Sequence, residues 1–247
     1  MSTTTNGKVG IGQRLLDWVE NVGNKLPEPF TLYPGAQLLE AARADAQGGK
    51  ARYGEWIAAT GQWKASWREA LEEGRSSGQV PIHPGRVVRE LARAVPEDAI
   101  VLSDIGQHHS WMVQQWPVRG QGRFLQSGGS ATMGFGVGGA IGAQFAAPQR
   151  PVVAVVGDGG MLMHASAVAT AVEYRLPIVW LVWNNCGYVS IRDLQRGFYN
   201  GREFGTRFSD AGMEGELKST DFAMLARSMG AQGFLVERPG DLAAQLQ

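Results

Sequence analysis

Cysteine is nearly absent from this chain. A single Cys186 excludes an internal disulfide framework and a cysteine-based zinc site. One thiol is compatible with a reducing cytoplasm, which is the expected compartment. Charge of one sign is also missing: Lys+Arg and Asp+Glu both count 23, so composition favours neither nucleic acid nor an anionic membrane as partner. Met1 to Val9 carries no apolar run of signal-peptide type. The longest apolar stretch, 130–147, is interrupted by glycines and falls at or below spanning length. It reads as a buried helix rather than a membrane span. Hydrophobic residues make up 44% of the chain and charged residues 19%, enough apolar material for a sizeable core. Glycine is abundant. There are 34, clustered between Gly120 and Gly160, where they imply close backbone approach to a ligand or tight packing of helix on sheet.

Two regions differ in pattern. Residues 1–80 read as a helical and irregular N-terminal segment. Short helices are expected near 15–22 and 38–46, and Trp63, Trp67 and Leu71 form an apolar stripe at four-residue spacing. Gly74 to Gly85 reads as a linker. From residue 81 onward apolar strands alternate with helical patterns. Strands are expected at 99–102, 124–125, 152–156, 178–183 and 233–236. Helices are expected from Val87, over 133–146, 161–173 and 220–229, and from Asp241. That alternation implies an α/β fold, a doubly wound parallel sheet with helices on both faces. Ligands of such sheets bind at the carboxyl ends of the strands.

Two strands end in side chains suited to one purpose. The run Pro151 to Val156 leads into Gly157-Asp158-Gly159-Gly160. The run Pro177 to Trp183 leads into Asn184-Asn185-Cys186-Gly187. Asp158 and Asn185 lie 27 positions apart, room for one crossover helix. Adjacent parallel strands therefore place a carboxylate and a carboxamide at one sheet edge. Mg²⁺ takes hard oxygen ligands and shares its shell with phosphates. Asp158, Asn185 and the Gly187 carbonyl are the candidate ligands. Gly157, Gly159 and Gly160 leave room for a diphosphate near a helix N-terminus. The plain alternative is a strand-end turn capped by an Asx side chain. Gly134 to Gly139 also fits a dinucleotide fingerprint, but no strand leads directly into it.

These stretches, with Ser103-Asp104-Ile105-Gly106-Gln107-His108, Ser127-Gly128-Gly129, Thr132-Met133-Gly134-Phe135-Gly136 and Ala140-Ile141-Gly142-Ala143, resemble the diphosphate-binding (PP) domain of thiamine diphosphate enzymes, in particular the acetolactate synthase-like group. The resemblance implies thiamine diphosphate and Mg²⁺ as cofactors and a 2-oxo acid as substrate of a carboligase or decarboxylase, a lyase or transferase. It implies cofactor contacts from Ile105, Gly106, Gln107, His108, Ala131, Met133, Gly157, Gly159, Gly160, Asn185, Gly187, Tyr188 and Val189, with Met133 wedging the cofactor into its bent form. Family members also carry a pyrimidine-binding (PYR) domain with a catalytic glutamate, and neither is evident here. The chain is therefore expected to be a PP-domain subunit or fragment lacking its last strand. It would work, as an oligomer, with a PYR-bearing chain or a full-length homologue. A non-catalytic cofactor-binding chain is the alternative. Arg192 stands near a position where acetolactate synthases have tryptophan. It reads equally as a carboxylate grip or a solvated helix residue. Glyoxylate carboligase-like and sulfoacetaldehyde acetyltransferase-like activities stay open, as does the use of FAD.

Overall fold

The computed structural model describes residues 54–118, 123–209, 215–218 and 220–246. The helices expected near 15–22 and 38–46 lie outside them. The chain divides into two compact units, Met1–Ala70 and Leu71–Gln247. The described part of the first belongs to helix α1 (Gly54–Ser76), which continues across the division and carries a half-exposed Trp63. Helix reaches further than the linker reading allowed: α1 runs to Ser76 and α2 starts at Pro84, leaving only 77–83 irregular. Pro84 starts α2 (Pro84–Ala94) where its missing N–H costs nothing, and His83 caps that end by accepting from the Gly85 N–H at 3.1 Å.

The second unit is built on four strands. In chain order they are β1 (Ile100–Ser103), β2 (Arg123–Gln126), β3 (Val152–Gly157) and β4 (Ile178–Trp183). Their spatial order is β2-β1-β3-β4, and every pairing is parallel. Between and after them come α3 (Gln107–Gln115), α4 (Phe135–Ala146), α5 (Asp158–Met163), α6 (Ala167–Glu173), α7 (Val189–Phe198), α8 (Phe222–Ser228) and α9 (Pro239–Gln245).

Successive strand residues point to opposite faces, which explains the near-continuous apolar runs of β1 and β3. Ile100, Leu102, Val152, Ala154 and Val156 pack on one face with Val137, Ala140, Met161 and Val168 from α4, α5 and α6. Val101, Val153 and Val155 pack on the other with Val88, Leu91 and Met112 from α2 and α3. Leu91 and Leu102 are fully buried, each worth about 2 kcal/mol of transfer free energy. The sheet is thus covered on both sides, as the alternation implied.

The Gly/Ala character of α4 has a steric cause. A Cβ at Gly136 would lie 2.9 Å from Asp104 Cβ and 3.0 Å from Val156 Cγ1, and one at Gly139 would lie 3.1 Å from Leu102 Cδ2. The glycines let the helix lie directly on β1 and β3.

Two expectations fail. The helix expected over 161–173 is two helices. It stops at His164, whose N–H bonds Met161 O at 3.2 Å, and restarts at Ala167. The strand expected at Gly233–Val236 is irregular, with Phe234 and Leu235 exposed. Its apolar run found a helix instead of a strand as neighbour. Gly233 is pressed so close to the Ala223 backbone that a Cβ there would collide with it, and its carbonyl accepts from Arg227 Nη1 at 2.7 Å.

Candidate thiamine diphosphate site

The pairing of β3 with β4 sets Gly157 opposite Trp183, so both strand tips end at one edge. Asp158 follows immediately, and its residue is only 3% exposed. One carboxylate oxygen, Oδ1, accepts from the Gly159 N–H at 2.8 Å. The other, Oδ2, accepts from Gly187 N at 2.9 Å and from Asn185 N at 3.3 Å. The two loops that sequence reasoning paired are therefore tied together by Asp158 itself. Burial pushes its carboxyl above the ordinary value, and the N–H groups of Gly187, Gly159, Asn185 and Cys186 pull it back only in part. This is a buried acid short of positive charge. Beside it, Asn185 Oδ1 is buried with no hydrogen-bond partner, which leaves an oxygen ligand to spare.

A return segment fixes the second loop. Tyr188 N donates to Thr206 O at 2.9 Å, Phe208 N donates to Cys186 O at 3.1 Å, and Gly187 bridges Arg207 in antiparallel fashion. Gly187 has a φ of 149°, and any Cβ there would collide with the Thr206 carbonyl. Only glycine fits.

Met133, Tyr188 and His108 contact the glycines that flank Asp158. The Tyr188 ring and the Met133 methyl converge over Gly159, where a Cβ would lie 2.5 Å from Tyr188 Cε1 and 3.4 Å from Met133 Cε. Ala131, two residues before Met133, holds a left-handed φ of 50°. Gly160 packs against the Asp104 carboxylate. The turn Ile105-Gly106 follows β1 and leads into α3, and the His108 ring lies beside Gly106 and Gly157. Gln107 turns its amide toward α7, donating to Asp193 Oδ2 at 3.2 Å. Val189 opens α7. Arg192 has its Nε buried without a partner, and its charge reaches Cys186, whose thiol is pushed up by burial and by Asp158. An open cleft of about 430 Å³ lies between α3 and α7, lined by Gln107, Trp111, Ser190, Asp193 and Leu194 among others.

His108 is buried against Trp183, with ring centroids 6.3 Å apart. Burial first, then the neighbouring His109, lowers its pKa to about 4, against the raising effect of a bond to the Asp104 backbone. His109 is lowered too, mainly by burial. The unfolded chain takes up a proton near 6.5, the folded chain at His108 only near 4. Stability from His108 is thus full above about pH 6.5 and is lost as pH falls toward 4. Roughly 2 kcal/mol should disappear between pH 7 and 5. Urea midpoints at those two pH values should differ by more in the unaltered chain than in His108→Leu. Equal differences would mean that the imidazole is not held neutral.

Among the described residues, no group of three His, Cys, Asp or Glu could hold a metal. A cation here must be one content with a carboxylate, an amide oxygen and non-protein ligands. Such a donor set would fit Mg²⁺ shared with phosphates.

Comparison with known proteins decides the family. Residues 104–247 match the family described as "Thiamine pyrophosphate enzyme, C-terminal TPP binding domain". The chain belongs to the thiamine pyrophosphate enzymes. The large subunit of acetolactate synthase from Haemophilus influenzae is 34% identical over 192 residues, covering 78% of this chain and 31% of that protein. The isozyme 3 large subunit of Escherichia coli is 33% identical over the same shares. The mitochondrial catalytic subunit of Saccharomyces cerevisiae is 31% identical over 196 residues, 78% of this chain and 27% of that protein. The chain thus spans under a third of the length of these relatives. The family implies thiamine diphosphate, another name for the pyrophosphate, as cofactor, and the parallel four-stranded sheet is consistent with a TPP-binding domain. No helix among the described residues is long and apolar enough to cross a membrane.

One residue of this thiamine pyrophosphate domain escaped sequence reasoning as a site residue. Asp104 ends β1 as Asp158 ends β3, a carboxylate directly after a buried strand and before a glycine turn. That parallel was the signal available.

Proposed function

We propose that this chain binds thiamine diphosphate through Mg²⁺ and forms the diphosphate-binding half of a carboligase or decarboxylase acting on 2-oxo acids. The observation that carries the reading is the buried Asp158 carboxylate, tied to the Asn185–Gly187 loop beside the unpartnered Asn185 oxygen. Asp158, Asn185 and the Gly187 carbonyl would hold the cation. Gly159 and Gly160, at the start of α5, would face the diphosphate with the Ile105 to His108 turn. When bound, thiamine diphosphate supplies an electron sink for carbanions formed next to a carbonyl.

The chain's own part is positioning. Met133 and Tyr188 meet over Gly159, and Met133 would hold the cofactor bent there. Arg192, whose buried Nε has no partner, is the candidate grip for the substrate carboxylate. The catalytic glutamate of the reading comes from a PYR domain, carried by another chain or a full-length homologue in the cytoplasm.

Complementation tests this. The full chain is mixed with a PYR-bearing acetolactate synthase-like chain whose own metal-binding Asp has been replaced. Decarboxylation of a 2-oxo acid should appear only in the mixture, and only with Mg²⁺ and thiamine diphosphate present. If no such partner yields turnover while calorimetry still detects the cofactor, the chain is a non-catalytic cofactor binder.

A further inference from the structure

Asp104 is a fully buried carboxylate that makes no ion pair among the described residues, and nothing above gives it a task. Its two oxygens bond two backbone N–H groups some thirty residues on. Oδ2 accepts from Gly134 N at 2.9 Å, and Oδ1 accepts from Gly136 N at 3.3 Å. Gly134 is the N-cap and Gly136 lies in the first turn of the twelve-residue α4, where unpaired N–H groups and the helix dipole favour an anion. Gly134 itself is left-handed, with a φ of 82°, so the chain turns sharply between Met133 and the helix. On its other side, Asp104 Oδ2 packs against Gly160 so closely that a Cβ there would collide with it. The carboxylate therefore stands where the β1–α3 turn, the Met133 turn and the start of α5 cross.

A buried charge without a cation is costly unless its acceptors are used. Simple helix capping would be served by a neutral Ser or Asn at the cap position of α4 itself. Here that position is Gly134, with no side chain, and the cap is imported from another strand. The imported group connects the turn bearing Met133 to the glycine loop that Met133 overhangs, its methyl 3.4 Å from the Cβ position of Gly159.

We propose that Asp104 is a positioning residue: by gripping Gly134 and Gly136 it sets the height of Met133 above Gly159 and so the shape of the cofactor slot. This rests on the reading of Met133 as the residue that bends the cofactor. Asp104 touches no reacting atom and acts through Met133.

The test is a double-mutant cycle on cofactor affinity, measured by calorimetry on the full chain with Mg²⁺ and thiamine diphosphate, with a PYR-bearing chain present throughout. Asp104→Asn keeps the shape but sets an NH₂ group against one of the two N–H donors. It should weaken binding about tenfold. In a Met133→Ala background the same change should have less than about a twofold effect, because coupled residues are not additive. Additive effects would overturn the proposal, since a merely structural carboxylate loses the same affinity with or without Met133. Hydrogen exchange gives a readout on the cofactor-free chain: the Gly134 and Gly136 amides should exchange about tenfold faster in Asp104→Asn, with Val153 to Val156 unchanged. Uniform acceleration across β3 would assign Asp104 to general stability and sink the proposal. Unchanged affinity in Asp104→Asn, with affinity lost in Asp158→Ala, removes the role of Asp104 alone. Unchanged affinity in both removes the cofactor-site reading and this role with it.

Discussion

Asp158→Ala is expected to abolish Mg²⁺-dependent binding of thiamine diphosphate, with affinity lowered at least about a hundredfold. Two effects act in the same direction. The substitution deletes the only charged ligand of the proposed cation site, and a hard dication without a carboxylate has only neutral oxygens from the protein. It also removes the acceptor of the Gly159, Asn185 and Gly187 N–H groups. Each donor left unpaired costs about 1–3 kcal/mol, so the Asn185–Gly187 loop would lose its tie to β3. Asp158→Asn separates the two contributions. It keeps the volume and one acceptor oxygen but not the charge. Calorimetric titration of both variants with Mg²⁺ and thiamine diphosphate is the measurement. If Asp158→Asn binds as the unaltered chain does, charge at this point is not what holds the cofactor, and the metal assignment is wrong.

Gly187→Ala should be strongly damaging. The backbone there has a φ of 149°, and the added methyl would run into the Thr206 carbonyl oxygen. That oxygen is not free to retreat, because it accepts the Tyr188 N–H at 2.9 Å. The clash can be relieved only by separating the loop from its return segment, which also carries the Phe208 N–H to Cys186 O bond and the Gly187–Arg207 bridge. A loss of about 3 kcal/mol or more is expected from strain plus broken bonds, together with loss of cofactor affinity. Gly205→Ala is the control. Its φ of 65° is also left-handed, but nothing lies near its Cβ position, so backbone strain alone should cost about 1 kcal/mol. Urea denaturation of the two variants measures the difference. Equal losses would mean that the contact with Thr206 is not maintained in solution.

The motif residues were readable because their signal is local. A strand buried on both faces is a continuous apolar run, and the polar residue that ends it stands at the ligand edge of a parallel sheet. Asp158 announces itself in this way after the buried β3, and Asn185 ends the apolar, part-buried β4. His164 and Gly233 did not. The helical pattern around His164 continues through the break, and the run Gly233 to Val236 has strand composition. In both places the neighbours decided the outcome: Gly134 receives the His164 ring, and the Ala223 backbone presses on Gly233. Asp104 was visible as a residue but not as a strut, since its partners Gly134 and Gly136 stand 30 and 32 positions away.

The amino-acid order alone determined the parallel α/β architecture, the two strand tips that face each other and the kinship with thiamine diphosphate enzymes. Apolar period and turn residues act over a few positions and are written directly in the chain. Only the folded molecule decided which N–H groups close on which carboxylate, which loop is pinned by Thr206 and which apolar run is refused a place in the sheet. Those outcomes depend on groups brought within about 3 Å across long sequence separations, where hydrogen bonds form only at specific distances and angles.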